Sequence, residues 1–198
     1  MEIKNWLNGE WALILGSSSG FGAEVSVKLS EYGVNIIGVH LDRKNTMENV
    51  EKIISKIESN GAKAKFFNIN AADQEKRNQC LDEVKEIIAN SEKKIKILLH
   101  SLAFGSLKPY ISEDPEKNVT QKNMDMTLDV MANSLVYWSQ DVYSRKLFSK
   151  KARIYAMSSA GSRKIWPTYG PVSAAKSALE SHIRPVSYTH LTLPTKVS

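Results

Sequence analysis

The chain has 198 residues, 42% apolar and 24% charged, which is ordinary for one soluble globular domain. No run approaches a membrane span, the N-terminus lacks a charged-then-apolar signal layout, and the lone Cys80 excludes an internal disulfide and fits a reducing cytoplasm. The formal charge of +6 comes from Lys and Arg interleaved with acids, a pattern of solvated helix faces rather than of a nucleic-acid surface, and one that suits an anionic ligand.

Trp11 to Leu15 is a short apolar run and predicts a buried strand. Residues 23–32 carry Ala23, Val25, Val27 and Leu29 at helical spacing and stop at Gly33. A second strand follows over 34–39, a helix over 47–59 with Val50, Ile53, Ile54 and Ile57, and a third strand over 64–69. Residues 74–90 predict a helix and 95–99 a fourth strand. After a loop with Pro109 comes a long helix over about 119–148, with a possible break near Thr127. A fifth strand over 153–157 precedes a helix opened by Pro171. Strands alternating with helices imply an α/β fold. The expectation is a Rossmann-like doubly wound parallel sheet in three α/β/α layers, with its ligand crevice at the carboxyl ends of the strands.

The character changes at Pro185, where the helical pattern of Ala174, Ala175, Ala178, Leu179 and Ile183 is expected to stop. Residues 186–195 resemble a translated sequencing adapter. The expectation is that residues 1–184 form the domain, incomplete at its C-terminus, and that 185–198 are a non-native, disordered tail holding no site. Cys80 has no Cys or His neighbour at metal-ligand spacing and reads as an inert thiol; no metal site is expected.

Gly16-Ser-Ser-Ser-Gly20-Phe-Gly22 lies between the first strand and its helix. Glycines there let the backbone turn tightly and approach a diphosphate, while the helix N-terminus offers free N–H groups and a positive dipole. Further along stand Asn70-Ala71 after the third strand, His100-Ser-Leu-Ala103 after the fourth, and Ser158-Ser159, Tyr169 and Lys176 after the fifth. With these landmarks in order, the chain resembles the short-chain dehydrogenase/reductase family over residues 6–184. His100-Ser-Leu-Ala103 is similar to its enoyl-acyl-carrier-protein reductase branch.

The resemblance implies a nicotinamide cofactor held by Gly16, Ser18, Ser19, Gly20, Phe21, Gly22, His40, Arg43, Lys44, Asn70, Ala71, Ser101, Leu102, Ala103 and Lys176. Phe104-Gly105 and Pro109-Tyr110 would line the crevice, and His100 would have a structural role. His40 stands where NAD users usually carry an Asp. Arg43 and Lys44 after it favour NADPH through its 2′-phosphate, with NADH the alternative and a solvated turn the bland reading.

The implied catalytic residues are Tyr169, Lys176 and Ser159. Counting back from Lys176, Ser159 falls on the family's serine position, but Val172 stands on its usual tyrosine position and Tyr169 comes three residues earlier. Three residues of helix rise about 4.5 Å, so the phenol is displaced outward, which suits an enoyl thioester, whose oxygen lies some bonds from the carbon being reduced. Tyr with six residues before Lys is the enoyl-reductase pattern of this family; the serine at 159 is closer to the ketoreductase pattern. The resemblance puts Met131, with Asn133 nearby, at the family's helix asparagine. Lys176 is expected to bind the nicotinamide ribose and to favour the ionised phenol.

The reading is therefore an NAD(P)H-dependent oxidoreductase, cytoplasmic, reducing the double bond of an enoyl thioester as in fatty acid biosynthesis. The alternatives are a carbonyl reductase such as a 3-oxoacyl thioester reductase, and a non-catalytic cofactor-binding regulator. No nucleic acid or membrane partner is expected. Tyr137, Trp138 and Tyr143 on the long helix predict core or subunit packing, and the full-length protein is expected to be a homodimer or homotetramer. The chain alone is expected to bind cofactor poorly and turn over little.

Overall fold

The computed structural model describes residues 6–89 and 91–188. Five strands alternate with helices: β1 (Trp11–Leu15), α1 (Gly20–Ser30), β2 (Asn35–His40), α2 (Met47–Ser59), β3 (Ala64–Asn68), α3 (Gln74–Ile88) and β4 (Ile95–His100). After them come α4 (Gln121–Leu128), a π-helical segment (Asp129–Asn133), α5 (Ser134–Ser144), β5 (Phe148–Ala156) and α6 (Gly170–Tyr188). All pairings are parallel, in the order β3-β2-β1-β4-β5. The order reverses between β1 and β4, so the loops after these two strands diverge and open a crevice at their carboxyl ends.

Central β1 is buried at all five residues, as a strand covered on both faces must be. Its alternate side chains feed two separate cores. Trp11, Leu13 and Leu15 pack with Leu81, Val84, Leu135, Trp138 and Leu179 from α3, α5 and α6. Ala12 and Ile14 face the other way, onto Ala23, Val27, Ile53 and Ile57 from α1 and α2. Trp138 is fully buried, and its indole N–H donates to the Ala71 carbonyl (2.8 Å). Of the three aromatics on the long helix, Trp138 is core, Tyr137 is half-buried with its hydroxyl on Asp129 (3.0 Å), and Tyr143 is exposed.

Three boundaries depart from the pattern read in the sequence. The long helix does not run to Phe148: it ends at Ser144, where Lys146 takes a left-handed conformation (φ 55°). Phe148 instead begins β5, pairing with Ile95. The expected break near Thr127 is a change of winding at Asp129–Asn133. It begins two residues after Thr127, whose hydroxyl donates to the Asn123 carbonyl (2.7 Å) and accepts from the Ser106 N–H (3.0 Å). Finally, α6 does not stop at Pro185 but continues to Tyr188. Proline in a helix interior costs about 3 kcal/mol. Ile183 and Val186 pack against the core on either side of it, and that burial offsets the loss. Residues 189–198, the rest of the adapter-like stretch, lie outside the described residues. Among the described residues no helix is long and apolar enough to cross a membrane.

Candidate active site

The loop after β1 turns on Gly16, whose φ of 89° favours glycine. A Cβ there would stand 2.5 Å from the Ser101 carbonyl oxygen, so the β1 and β4 loops touch backbone to backbone. Gly22 is tighter still, since its Cβ would lie 1.9 Å from the Gly16 carbonyl oxygen. The turn can close onto α1 only with glycine at both places. Ser19 caps α1 without a side-chain bond, and the first turn carries no acid. The first N–H groups and the positive end of the helix dipole therefore face the crevice uncompensated.

That crevice has a volume of about 340 Å3. Of the residues expected to hold a cofactor, Gly16, Ser19, Gly20, Phe21, His40, Asn70, Ala71, Ser101, Leu102 and Ala103 line it. Phe104 lines it too. Five expected residues do not. Gly22 is packed under the loop, and the Ser18 carbonyl is turned to the Asn49 amide (2.7 Å). Arg43 and Lys44 are exposed beyond the rim, at the start of a short 3-10 turn. Lys176 is buried beneath the crevice. Val39, Ile69, Met126 and Val130 also line the crevice; strand and helix periodicity marked some of them as core, and nothing local distinguished core from crevice wall.

At the end of β2, the His40 ring is buried against Phe66 and its Nδ1 lies 2.9 Å from an Asp42 carboxylate oxygen. A carboxylate only accepts, so that nitrogen carries the proton. Burial pushes the Asp42 carboxyl up, but hydrogen bonds from Ser18, Thr46 and His40 together hold it below its ordinary value. Asn70, on the crevice wall, turns its side-chain oxygen to the Ala72 N–H (3.0 Å) in an Asx turn.

His100 is fully buried at the end of β4. The Ser134 hydroxyl gives its proton to the Val130 carbonyl (2.7 Å), so the histidine Nε2–H donates to Ser134 (2.9 Å). Nδ1 is then an unprotonated, buried acceptor with no partner among the described residues. Burial, with the Lys176 charge, pushes this histidine down to about 3. It stays neutral and ties β4 to Ser134 at the start of α5, a structural role as read in the sequence.

Lys176, on the first turns of α6, is held by two backbone carbonyls, Leu102 (3.1 Å) and Met157 (2.7 Å). Burial lowers its pKa. An ammonium has three protons, so these two bonds leave one over. Among the described residues no bond joins Lys176 to Tyr169.

Tyr169 immediately precedes α6, after Thr168 in a left-handed conformation (φ 60°). Its hydroxyl lies 3.2 Å from that of Ser159, so these two residues meet. Val172 is buried with Val130, Met131 and Ala175. Gly105 lies against Val172 and Met131, not on the crevice wall. Asn133 is tied to His182 (3.2 Å), and Met131 is core, so neither reaches the crevice. Neither Tyr169 nor Ser159 lines the crevice; Tyr169 lines a second cavity of about 310 Å3 with Lys108, Tyr110, Lys164, Trp166 and Ser173. Cys80 is buried and pushed up to about 12 by burial, an inert thiol.

Residues 16–191 match the family model described as Enoyl-(Acyl carrier protein) reductase. The chain belongs to this family of short-chain dehydrogenases/reductases. It is 24% identical over 181 residues to a probable tetrahydroxynaphthalene reductase of Zymoseptoria tritici, a match covering 90% of this chain and 61% of that protein. It is 29% identical over 106 residues to an NADH-dependent enoyl-acyl-carrier-protein reductase of Buchnera aphidicola, covering 52% and 40%. The fold superposes on the angucycline C-6 ketoreductase LanV, solved with bound NADP, with a TM-score of 0.78 at 20% identity, covering 92% of this chain and 67% of that one. The chain spans about three fifths of the length of the first two curated short-chain reductases it matches.

Proposed function

We propose that this chain is the cofactor-binding and catalytic part of an NAD(P)H-dependent reductase acting on enoyl thioesters. The observation that carries the reading is the placement of Tyr169. The phenol stands before α6, hydrogen-bonded to Ser159, while the family's usual tyrosine position is filled by buried Val172. Tyr169 precedes Lys176 by seven residues, and among the described residues no bond joins the two, which supports a substrate whose oxygen lies some bonds from the carbon being reduced.

The site fits a nicotinamide dinucleotide. The cradle formed by Gly16 and Gly22 has no room for a Cβ, and the bare N-terminus of α1 suits a diphosphate. When bound, the cofactor supplies the hydride. The chain's own part is to hold and polarise. The remaining Lys176 N–H would hold ribose hydroxyls, and Ser101, Leu102 and Ala103 would form the wall beside the nicotinamide. Tyr169 would donate to the substrate oxygen as negative charge develops there. Arg43 and Lys44 have no ion-pair partner among the described residues and would meet a 2′-phosphate, which supports NADPH. The NADP bound to LanV agrees with that choice.

A second reading is a ketoreductase, favoured by Ser159 on the Tyr169 hydroxyl and by the likeness to the probable tetrahydroxynaphthalene reductase. The two separate when NADPH and NADH oxidation are followed with crotonyl and acetoacetyl thioesters side by side. Consumption with the crotonyl substrate, lost in Tyr169→Phe, is expected; consumption with the keto substrate alone would replace the first reading with the second.

A further inference from the structure

The turn after β5 is fastened to α6 at two levels. At the first, Lys176 holds the Met157 carbonyl (2.7 Å). One helical turn on, Glu180 accepts from the very next residue: the Ser158 hydroxyl donates to its Oε1 (2.6 Å). The same oxygen lies 2.8 Å from the Ser162 hydroxyl, whose single proton it shares with the Ser159 carbonyl (3.0 Å). Ser177 adds a bond to the Ser162 carbonyl (3.1 Å), and Arg163 stands 3.8 Å from the other carboxylate oxygen. Hydrogen bonds from Ser158 and then Ser162 hold the Glu180 carboxyl below its ordinary value, outweighing burial.

Between the two clasped serines lie Ser159 and Gly161. Ser159 is the hydroxyl that meets Tyr169. Gly161 lies flat against the Tyr169 ring, since a Cβ on it would stand 2.1 Å from the ring edge, and Trp166 closes the ring edge-on at 5.1 Å between centroids. The position of the phenol is therefore set by a short 3-10 turn, closed by the Ser162 N–H on the Ser159 carbonyl (3.1 Å) and the Arg163 N–H on the Ala160 carbonyl (3.1 Å), and tied to α6 through Glu180.

We propose that Glu180 is a positioning residue: its carboxylate clasps Ser158 and Ser162, and through them sets where Ser159 and Gly161 hold the Tyr169 hydroxyl. This rests on the reading of Tyr169 as the group that polarises the substrate oxygen.

The test labels the tyrosine rings with carbon-13, assigns Tyr169 by its loss in Tyr169→Phe, and follows its titration by NMR. Glu180→Ala is expected to shift the Tyr169 signal and its titration midpoint. Glu180→Gln, whose amide oxygen accepts the same two bonds, should stay near the parent. The double change Ser158→Ala with Ser162→Ala removes the same bonds from the other side and should match Glu180→Ala; it decides the matter if Glu180→Ala does not fold. In turnover assays kcat should fall on the order of 10- to 100-fold in Glu180→Ala, with cofactor KM unchanged. A purely structural role would lower the Tm and leave the Tyr169 titration where it was, and that result in a folded variant overturns the proposal. Absence of turnover in the parent would count against the functional reading alone, because the NMR comparison does not depend on turnover.

Discussion

The hydroxyl of Tyr169 lies 3.2 Å from that of Ser159, ten residues earlier in the chain and on the opposite side of a 3-10 turn. One of the two must donate to the other, so in a productive complex Ser159 can accept from Tyr169 or stand beside it on the same substrate oxygen. Tyr169→Phe removes the donor and should lower kcat by about 100-fold or more. Ser159→Ala removes one neutral hydrogen bond and should cost about tenfold. Steady-state rates with the preferred thioester check both, and equal losses would mean that the two hydroxyls act as one unit.

Gly22→Ala should abolish tight cofactor binding. Its Cβ would need the Gly16 carbonyl to move by more than an ångström, which reopens the turn that the crevice depends on. Gly61→Ala is the control: its φ is positive (83°), unlike that of Gly22, but its Cβ meets open space, so only backbone strain of about 1 kcal/mol is expected. Calorimetric titration with NADPH should show at least a roughly tenfold loss for the first and none for the second.

Arg43→Ala and Lys44→Ala should each raise the KM for NADPH several-fold and leave that for NADH alone, because only the 2′-phosphate offers them a charged partner. Unchanged NADPH values in both variants would return these residues to a solvated turn.

Acid should unfold the chain partly through His100. Its folded pKa of about 3 lies below the ordinary 6.5, so the unfolded chain takes up the proton first. Its contribution is complete above pH 6.5 and is lost as pH falls from there toward 3. Within that window the slope is at most about 1.4 kcal/mol per pH unit. His100→Asn should flatten the fall of Tm across this window; parallel curves for parent and variant would rule the histidine out as the cause.

Much of the fold was legible because its periodicities are strong. The helix at Met47–Ser59 was read to the residue, since its apolar spacing is clean and Asn60-Gly61 closes it. The failures share a cause: tertiary contacts outweighed local signals. Pro185 marked a stop, yet Ile183 and Val186 have a core to pack against. Phe148 looked like the end of an amphipathic helix because its pairing with Ile95 is long-range. In the site, the glycine loop and the Ser101–Ala103 wall were readable from motif order. Family likeness implied Ser159, Tyr169 and Lys176 as one set, but not the Glu180 clasp, because a lone acid on a helix face carries no sign of what it accepts from.

The burial of Val172 has a consequence for engineering. A tyrosine returned to that position would have to enter the packing of Val130, Met131 and Ala175, with Gly105 already against Val172. Moving the phenol along α6 is therefore not a one-residue exchange. The wall of the π segment and the loop at Gly105 would have to be rebuilt with it, so variants that seek a new reach for the hydroxyl will be found by reshaping the 158–169 turn rather than by sliding the tyrosine along the helix.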